Sequence, residues 1–244
     1  MSIAESIAGF CAYFERQVEN IGRVVIASDA SGNADFGAGS EFRYRKALYV
    51  TAIDTLAGLR FHKSAYPQLS RQNRERFTRF VRQHASWPEG DLVSLPFLKE
   101  ELESMKLLAR PLGRHVVASV AQFSSDNGGA LPVAKIDEPI SKLQSLVSME
   151  REEDALREYQ HLALLYRYRN SLVHESREPG NAMEVFSTSG EPYYHGYLRD
   201  PQWYLAYPPA LFEGLLKRSI GSFREYLISN AIDPYSLVED KARW

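Results

Sequence analysis

The residues whose types and spacing could do chemistry are gathered in LLYRYRNSLVHE, Leu164 to Glu175. Arg169 supplies a planar fork that fits a phosphate, Asn170 an amide, and His174 a group that titrates near neutral pH, within one or two helical turns. That set is what gripping or cutting a phosphodiester requires. The arginine-to-histidine interval is not distinctive by itself, because Arg79 and His84 repeat it, and so do Arg110 and His115. Of these three arginines only Arg169 is followed by an amide. Arg79 is followed by Phe80, and Pro111 and Gly113 argue against a continuous helix after Arg110.

The chemistry open to this set can be written down. Neutral His174 would take the proton of a ribose 2′-hydroxyl, its type suiting both base and acid roles. Arg169 would stabilise charge growing on the phosphorus oxygens, and Asn170 would orient the histidine or the phosphate. The attacking oxygen is already part of the substrate, so the reaction needs no metal and leaves a 2′,3′-cyclic phosphate. On a straight helix Arg169 and His174 lie roughly 140° apart, so one copy does not converge on one phosphate. Two-fold pairing of two copies brings each motif opposite its mate. Tyr166 and Arg167, one turn earlier, extend the same groove for substrate. An alternative role for the set is an interhelical hydrogen-bond group in a core.

Other chemistries find little support. One cysteine and scattered histidines give no zinc-ligand spacing, and His174-Glu175 lacks the second histidine of a zincin helix, so the expected metal and cofactor content is none. No serine elbow, Gly-rich dinucleotide turn or kinase signature is present. His161 reads as a surface or partly buried histidine rather than a ligand.

The elements that must position the motif are mainly helical. Ile3, Ile7, Phe10, Phe14, Val18, Ile21 and Val25 recur at three or four residues, which predicts an amphipathic helix from Ile3 to about Val25. A Gly- and Ser-rich loop follows, with one short strand at Val24 to Ala27. Phe42 to Phe61 is apolar around most of its circumference and predicts a central buried helix. Asp54 within it must be paired, either as a packing acceptor or in catalysis. Ser70 to Ala85 reads as a helix capped by Ser70. It places Arg71, Arg74, Arg79 and Arg82 on one broad face, opposite Phe77 and Phe80. This ridge suits a nucleic-acid backbone, a solvated surface or an acidic partner.

A helix ending before Pro111, a linker-like SSDNGGALPV, a short helix from Lys135 to Val147 and a long one from Glu150 to about Glu175 follow. The long helix has Leu156, Tyr159, Leu162, Ala163, Tyr166 and Val173 for its inner face. From Met183 to Tyr207 the period switches to two, predicting a small antiparallel meander over 182–207 from MEVFST, PYYHGYLR and QWYLAY. Its aromatics could stack on bases or pack on helices. A last helix from Pro208-Pro209 through Leu227 turns Leu211, Leu215, Ile220, Phe223 and Leu227 inward. The expectation is one domain over 1–244.

Composition bounds the rest. At 244 residues, 44% hydrophobic and 25% charged, the chain reads as an ordinary globular protein. Cys11 alone excludes an internal disulfide and points to the cytoplasm. No apolar run approaches the roughly 20 residues of a membrane span, and the first ten residues do not read as a signal peptide. A net charge of -2 means that nucleic-acid binding must rest on a local patch.

Arg169-Asn170-Ser171-Leu172-Val173-His174, in a helix preceded by YRY, resembles the Arg-polar-x(3)-His motif of the HEPN superfamily, the higher eukaryote and prokaryote nucleotide-binding domains. The resemblance covers roughly Glu150 to Glu175. It implies a HEPN-type helical bundle, with the β-meander as an insertion before the last helix. It also implies a metal-independent endoribonuclease with catalytic Arg169, Asn170 and His174, a homodimer with a composite active site acting on RNA. The biological setting implied is a toxin or anti-phage effector, controlled by an antitoxin or regulatory protein. Other family members are catalytically inactive modules that bind RNA, a nucleotide or a protein partner, and that alternative stays open. So does a purely structural helical interaction protein.

Overall fold

The computed structural model describes residues 2–25, 40–123, 130–179, 190–196 and 202–238. In chain order its helices are α1 (Ile3–Gly22), α2 (Ser40–Arg60), α3 (Asn73–His84), α4 (Leu95–Ser104), α5 (Pro111–Val120), α6 (Val133–Ile136), α7 (Ile140–Gln144), α8 (Glu150–Glu158), α9 (His161–His174) and α10 (Pro209–Ser229). Its strands are β1 (Leu92–Val93), β2 (Ala130–Pro132), β3 (Glu138–Pro139), β4 (Tyr193–His195) and β5 (Tyr204–Ala206). The fold is mainly helical, as the periodicities predict, with two small antiparallel sheets among the described residues. Two compact units interleave along the chain, one of Met1–Ser86, Leu172–Glu175 and Pro209–Trp244, the other of Trp87–Ser171 and Ser176–Pro208. Among the described residues no helix is long and apolar enough to cross a membrane.

The first unit is built on α1, α2, α3 and α10, with α10 packed against the other three. Helix α1 starts at a capping box, in which the Ser2 hydroxyl accepts the Glu5 N–H at 3.2 Å and the Glu5 carboxylate accepts the Ser2 N–H at 2.7 Å. Ile7, Phe10, Phe14, Val18 and Ile21 are buried along one face. The helix ends at Gly22, three residues short of Val25, which is 75% exposed. Helix α2 is one-sided rather than buried all round. Tyr49, Val50, Ile53, Leu56 and Ala57 face inward, whereas Leu48, Thr51 and Thr55 are exposed and Asp54 is half-buried. The two threonine hydroxyls satisfy themselves on the carbonyls one turn back, Ala47 and Thr51. Rings of Phe10 and Phe80 meet that of Phe223 at centroid distances of 6.2 and 6.0 Å. Full burial of such side chains contributes about 1.5–3 kcal/mol each.

Helix α3 begins at Asn73 with Gln72 as its cap residue, so Ser70 is not the cap. Arg71 lies before the helix at φ 67, in the left-handed region. It is therefore not a member of the predicted helical ridge.

In the second unit α4 packs on α5 and α8. The chain leaves α4 through Lys106 at φ 61, and Pro111 opens α5. Proline is favourable at the first helical position, where its missing N–H would have no partner anyway. Gly113 permits the tight return, because a Cβ there would come 2.5 Å from the Leu107 carbonyl oxygen. The Arg110-to-His115 stretch is thus helical from Pro111 onward, contrary to the reading that Pro111 and Gly113 interrupt it. Strands β1 and β3 pair antiparallel, Leu92 with Pro139 and Val93 with Glu138. A second sheet has the order β2-β4-β5, with Leu131 opposite Tyr194 and Tyr194 opposite Leu205. Two of its strands come from the predicted meander. The third, β2, comes from the stretch that composition marks as a linker. The predicted strand at Met183 to Thr188 lies outside the described residues, as do Ile26 and Ala27 of the one at Val24 to Ala27.

The predicted long helix over Glu150 to Glu175 is two helices. Gln160 forms a β-bridge with Val93, and the Tyr159 carbonyl accepts the Ser94 N–H at 2.9 Å, so the backbone turns outward between α8 and α9. Helix α9 ends at His174, five residues before Pro179, with Ser176 at φ 51 terminating the turn.

Candidate functional site

Helix α9 carries the whole motif. Its first five residues, His161 to Leu165, are buried on every side, which holds the helix firmly at its start. Further along, Tyr168, Arg169 and Leu172 are buried while Arg167 and His174 are exposed. Tyr166, Asn170 and Val173 are half-buried.

Arg169 is 9% exposed. Its Nη1 donates to Asn170 Oδ1 at 3.0 Å, and its guanidinium carbon lies 5.9 Å from the centre of the Tyr166 ring. The amide and the ring together fix the direction of the fork, so Asn170 meets the arginine rather than the histidine. Exposure of His174 and burial of Arg169 accord with opposite sides of one helix. Arg167 points elsewhere. Its Nη2 reaches the Glu158 carboxylate at 3.0 Å and the guanidinium carbon sits 5.0 Å from the Tyr159 ring centre. Tyr166 and Arg167 thus have different neighbours, Arg169 for the first and Glu158 with Tyr159 for the second.

The α3 arginines are less uniform than their spacing predicts. Arg74 and Arg82 are exposed, Arg79 is half-buried with its guanidinium 5.7 Å from the Phe61 ring centre, and Arg71 stands outside the helix.

A polar network behind the start of α9 was not legible in the sequence. His161 Nε2 lies 2.7 Å from Asp137 Oδ2, and both side chains are completely buried. The same carboxylate oxygen is 2.7 Å from the Tyr194 hydroxyl, and Oδ1 accepts the Leu95 N–H at 2.9 Å. A carboxylate only accepts, so Tyr194 donates to it and the Ser94 hydroxyl, 2.7 Å away, donates to Tyr194. His161 Nδ1 meets the Tyr207 hydroxyl at 2.7 Å. With its Nε2–H on Asp137, a neutral imidazole accepts the Tyr207 O–H at Nδ1. The carboxylate also sits at the first turn of α4, where a negative charge is favourable.

Tyr207, His161 and Asp137 have the hydroxyl–imidazole–carboxylate order of a nucleophilic triad. Burial, reinforced by the Asp137 charge, holds the Tyr207 phenol well above its ordinary range, and its ring is 1% exposed. A sealed, firmly protonated hydroxyl cannot attack a substrate, so the network is a structural anchor. It ties the first residue of α9 to α4 and to the sheet. The available signal was His161 itself, a polar residue heading an otherwise apolar buried run.

In front of Tyr207 the same unit has a pocket of about 310 Å³. Helix α9 contributes Leu164, Arg167 and Tyr168 to it, α4 contributes Phe97 and Glu100, and Trp203 and Tyr204 form another side. The Tyr168 and Tyr207 rings meet edge to face at 5.3 Å. The Tyr168 hydroxyl bonds the Glu178 carboxylate at 2.6 Å, and burial, together with that carboxylate, raises its pKa well above the usual value. Glu100 is an exposed residue, but partial desolvation of its carboxyl raises its pKa. Among the described residues no group of three or more His, Cys, Asp and Glu side chains could hold a metal ion.

No protein-family profile matches the chain, and neither a curated protein nor a solved structure matches it.

Proposed function

We propose that the protein is a metal-independent endoribonuclease of HEPN type, acting as a homodimer with Arg169 and Asn170 of one copy facing His174 of the other. The observation that carries this reading is the Arg169 fork held at 3.0 Å by the Asn170 amide, against the Tyr166 ring. A preorganised guanidinium needs no rearrangement when charge develops on a phosphate, which is how fixed donors accelerate such reactions. In the reaction, neutral His174 removes the 2′-hydroxyl proton and O2′ attacks the adjacent phosphorus. The bond to the 5′-oxygen breaks, and that oxygen takes a proton from the imidazolium. Products are a 2′,3′-cyclic phosphate and a free 5′-hydroxyl. The exposure of Arg74 and Arg82 on α3 supports a role for them in contacting an RNA backbone. An enzyme of this kind fits a toxin or anti-phage effector restrained by an antitoxin or regulatory protein.

The low exposure of Arg169 favours a second reading, a catalytically silent module of the same type that binds RNA, a nucleotide or a protein partner. There the Arg169–Asn170 pair would only shape the helix surface. Incubating the purified protein with RNA in EDTA, beside Arg169→Ala and His174→Ala, separates the two. The nuclease reading expects cleavage with cyclic-phosphate ends that both substitutions abolish. Cleavage surviving both would remove these residues from the mechanism, and binding without cleavage would select the silent module.

A further inference from the structure

The pocket beside α9 carries more information than a generic apolar cleft. Its volume of about 310 Å³ is at the small end of the ~300–1,000 Å³ typical of small-molecule sites, room for one nucleoside rather than a peptide helix. Phe97, Tyr168, Trp203 and Tyr204 line it with aromatic side chains, and Glu100 and Arg167 give it one group of each charge. The Trp203 and Phe97 rings each stand against the fully buried Tyr194, at 6.1 and 6.2 Å. Tyr207 forms part of the lining and is fixed from behind by His161 and Asp137. These walls are held by the sheet and the buried network, so stacking a ring there costs little reorganisation.

We infer that this pocket takes a single unpaired nucleobase, guanine in preference, stacked on the Trp203 side with its Watson–Crick edge toward Glu100. This deepens the ribonuclease reading and rests on it for the source of the base, an RNA substrate. Aromatic faces stack on any base; the carboxylate discriminates. In its carboxylate form the exposed Glu100 only accepts hydrogen bonds, and guanine presents two adjacent donors, N1–H and N2–H, whereas adenine presents a donor beside an acceptor. Arg167 serves the phosphate attached to the base. Its pairing with Glu158 is exposed, 43% and 45% on the two side chains, so a phosphate can take the place of that carboxylate. Arg167 also argues against the other occupant that aromatic walls and a carboxylate suit, a quaternary ammonium group, because it sets a like charge beside it.

The experiment is calorimetric titration of the full chain with GMP, AMP, CMP, UMP and choline, repeated with Trp203→Leu and Glu100→Gln, thermal melts confirming that each variant is folded. The inference expects saturable GMP binding, about tenfold or more weaker in Trp203→Leu. It expects the preference for GMP over AMP to disappear in Glu100→Gln, a surface change that does not threaten folding. No saturable nucleotide binding, binding unchanged in both variants, or choline binding in place of nucleotides would each overturn it. RNA cleavage without nucleotide binding rejects the pocket and leaves the nuclease reading. GMP binding without RNA cleavage keeps the pocket and rejects the nuclease.

Discussion

His161 Nε2 and Asp137 Oδ2 are 2.7 Å apart, with neither side chain exposed. His161 is the first residue of α9, and Arg169 follows two turns later on the same helix. The pairing therefore sets where the motif helix starts, and through Tyr207 it backs the pocket. Chemistry proposed for the Arg169-to-His174 motif is thus tied to a buried pair that takes no part in it.

Removing the carboxylate tests that anchor. Asp137→Ala leaves three buried donors, the His161 Nε2–H, the Leu95 N–H and the Tyr194 O–H, without their acceptor. Loss of about 3 kcal/mol or more in urea unfolding is expected, since orphaned buried polar groups cost roughly 1–3 kcal/mol each. A loss under about 1 kcal/mol would mean that the network contributes little.

Acid should weaken the fold through His84. In the folded chain burial, and secondarily the Arg60 charge, lower its pKa to about 4. Its Nδ1 meets Ser222 Oγ at 3.0 Å and its Nε2 is buried without a hydrogen-bond partner, so the charged form is poorly accommodated. The unfolded chain, with a pKa of about 6.5, binds more protons between these values. Stability is therefore full above about pH 6.5 and falls as pH drops toward 4, by about 2–3 kcal/mol for this group. His195, lowered by burial, acts in the same direction. Unfolding free energies of the wild type and His84→Gln measured from pH 7 to 4 should converge as pH falls. Parallel curves would contradict the assignment.

The turn into α5 depends on a missing side chain. Gly113→Ala places a Cβ 2.5 Å from the Leu107 carbonyl oxygen and 2.6 Å from Leu108 Cα, both backbone atoms that cannot swing away. A loss of about 2 kcal/mol or more is expected by thermal or urea unfolding, in the range of backbone-strain substitutions. An unchanged midpoint would show that the 107–113 turn opens freely.

How much of this the sequence disclosed follows the range of the forces involved. Local periodicity located α1 and α10, and every residue expected inward on α10, from Leu211 to Leu227, is buried. Longer-range contacts were not visible. The break at Tyr159 and Gln160 exists because Val93 and Ser94 pair there, more than sixty residues earlier. Strand β2 is recruited from a Gly-rich stretch by pairing with Tyr193 to His195. Pro111 starts α5 where its residue type suggests an interruption, because proline breaks a helix from inside and begins one from its first position. In the candidate site, the Arg169–Asn170 contact joins sequence neighbours and could be anticipated. The Asp137–His161–Tyr207 set comes from three separate elements, and no local pattern announces it.

The central claim is that one active site draws Arg169 and His174 from two copies of the chain. Its most direct measurement mixes Arg169→Ala and His174→Ala proteins, each inactive alone, after co-refolding in equal amounts, and assays RNA cleavage in EDTA. Half of the resulting dimers pair one chain of each kind and carry one intact composite site, so activity should return to about a quarter of wild type. Mixtures as inactive as the separate variants, with exchange of subunits verified by mass, would contradict the composite site.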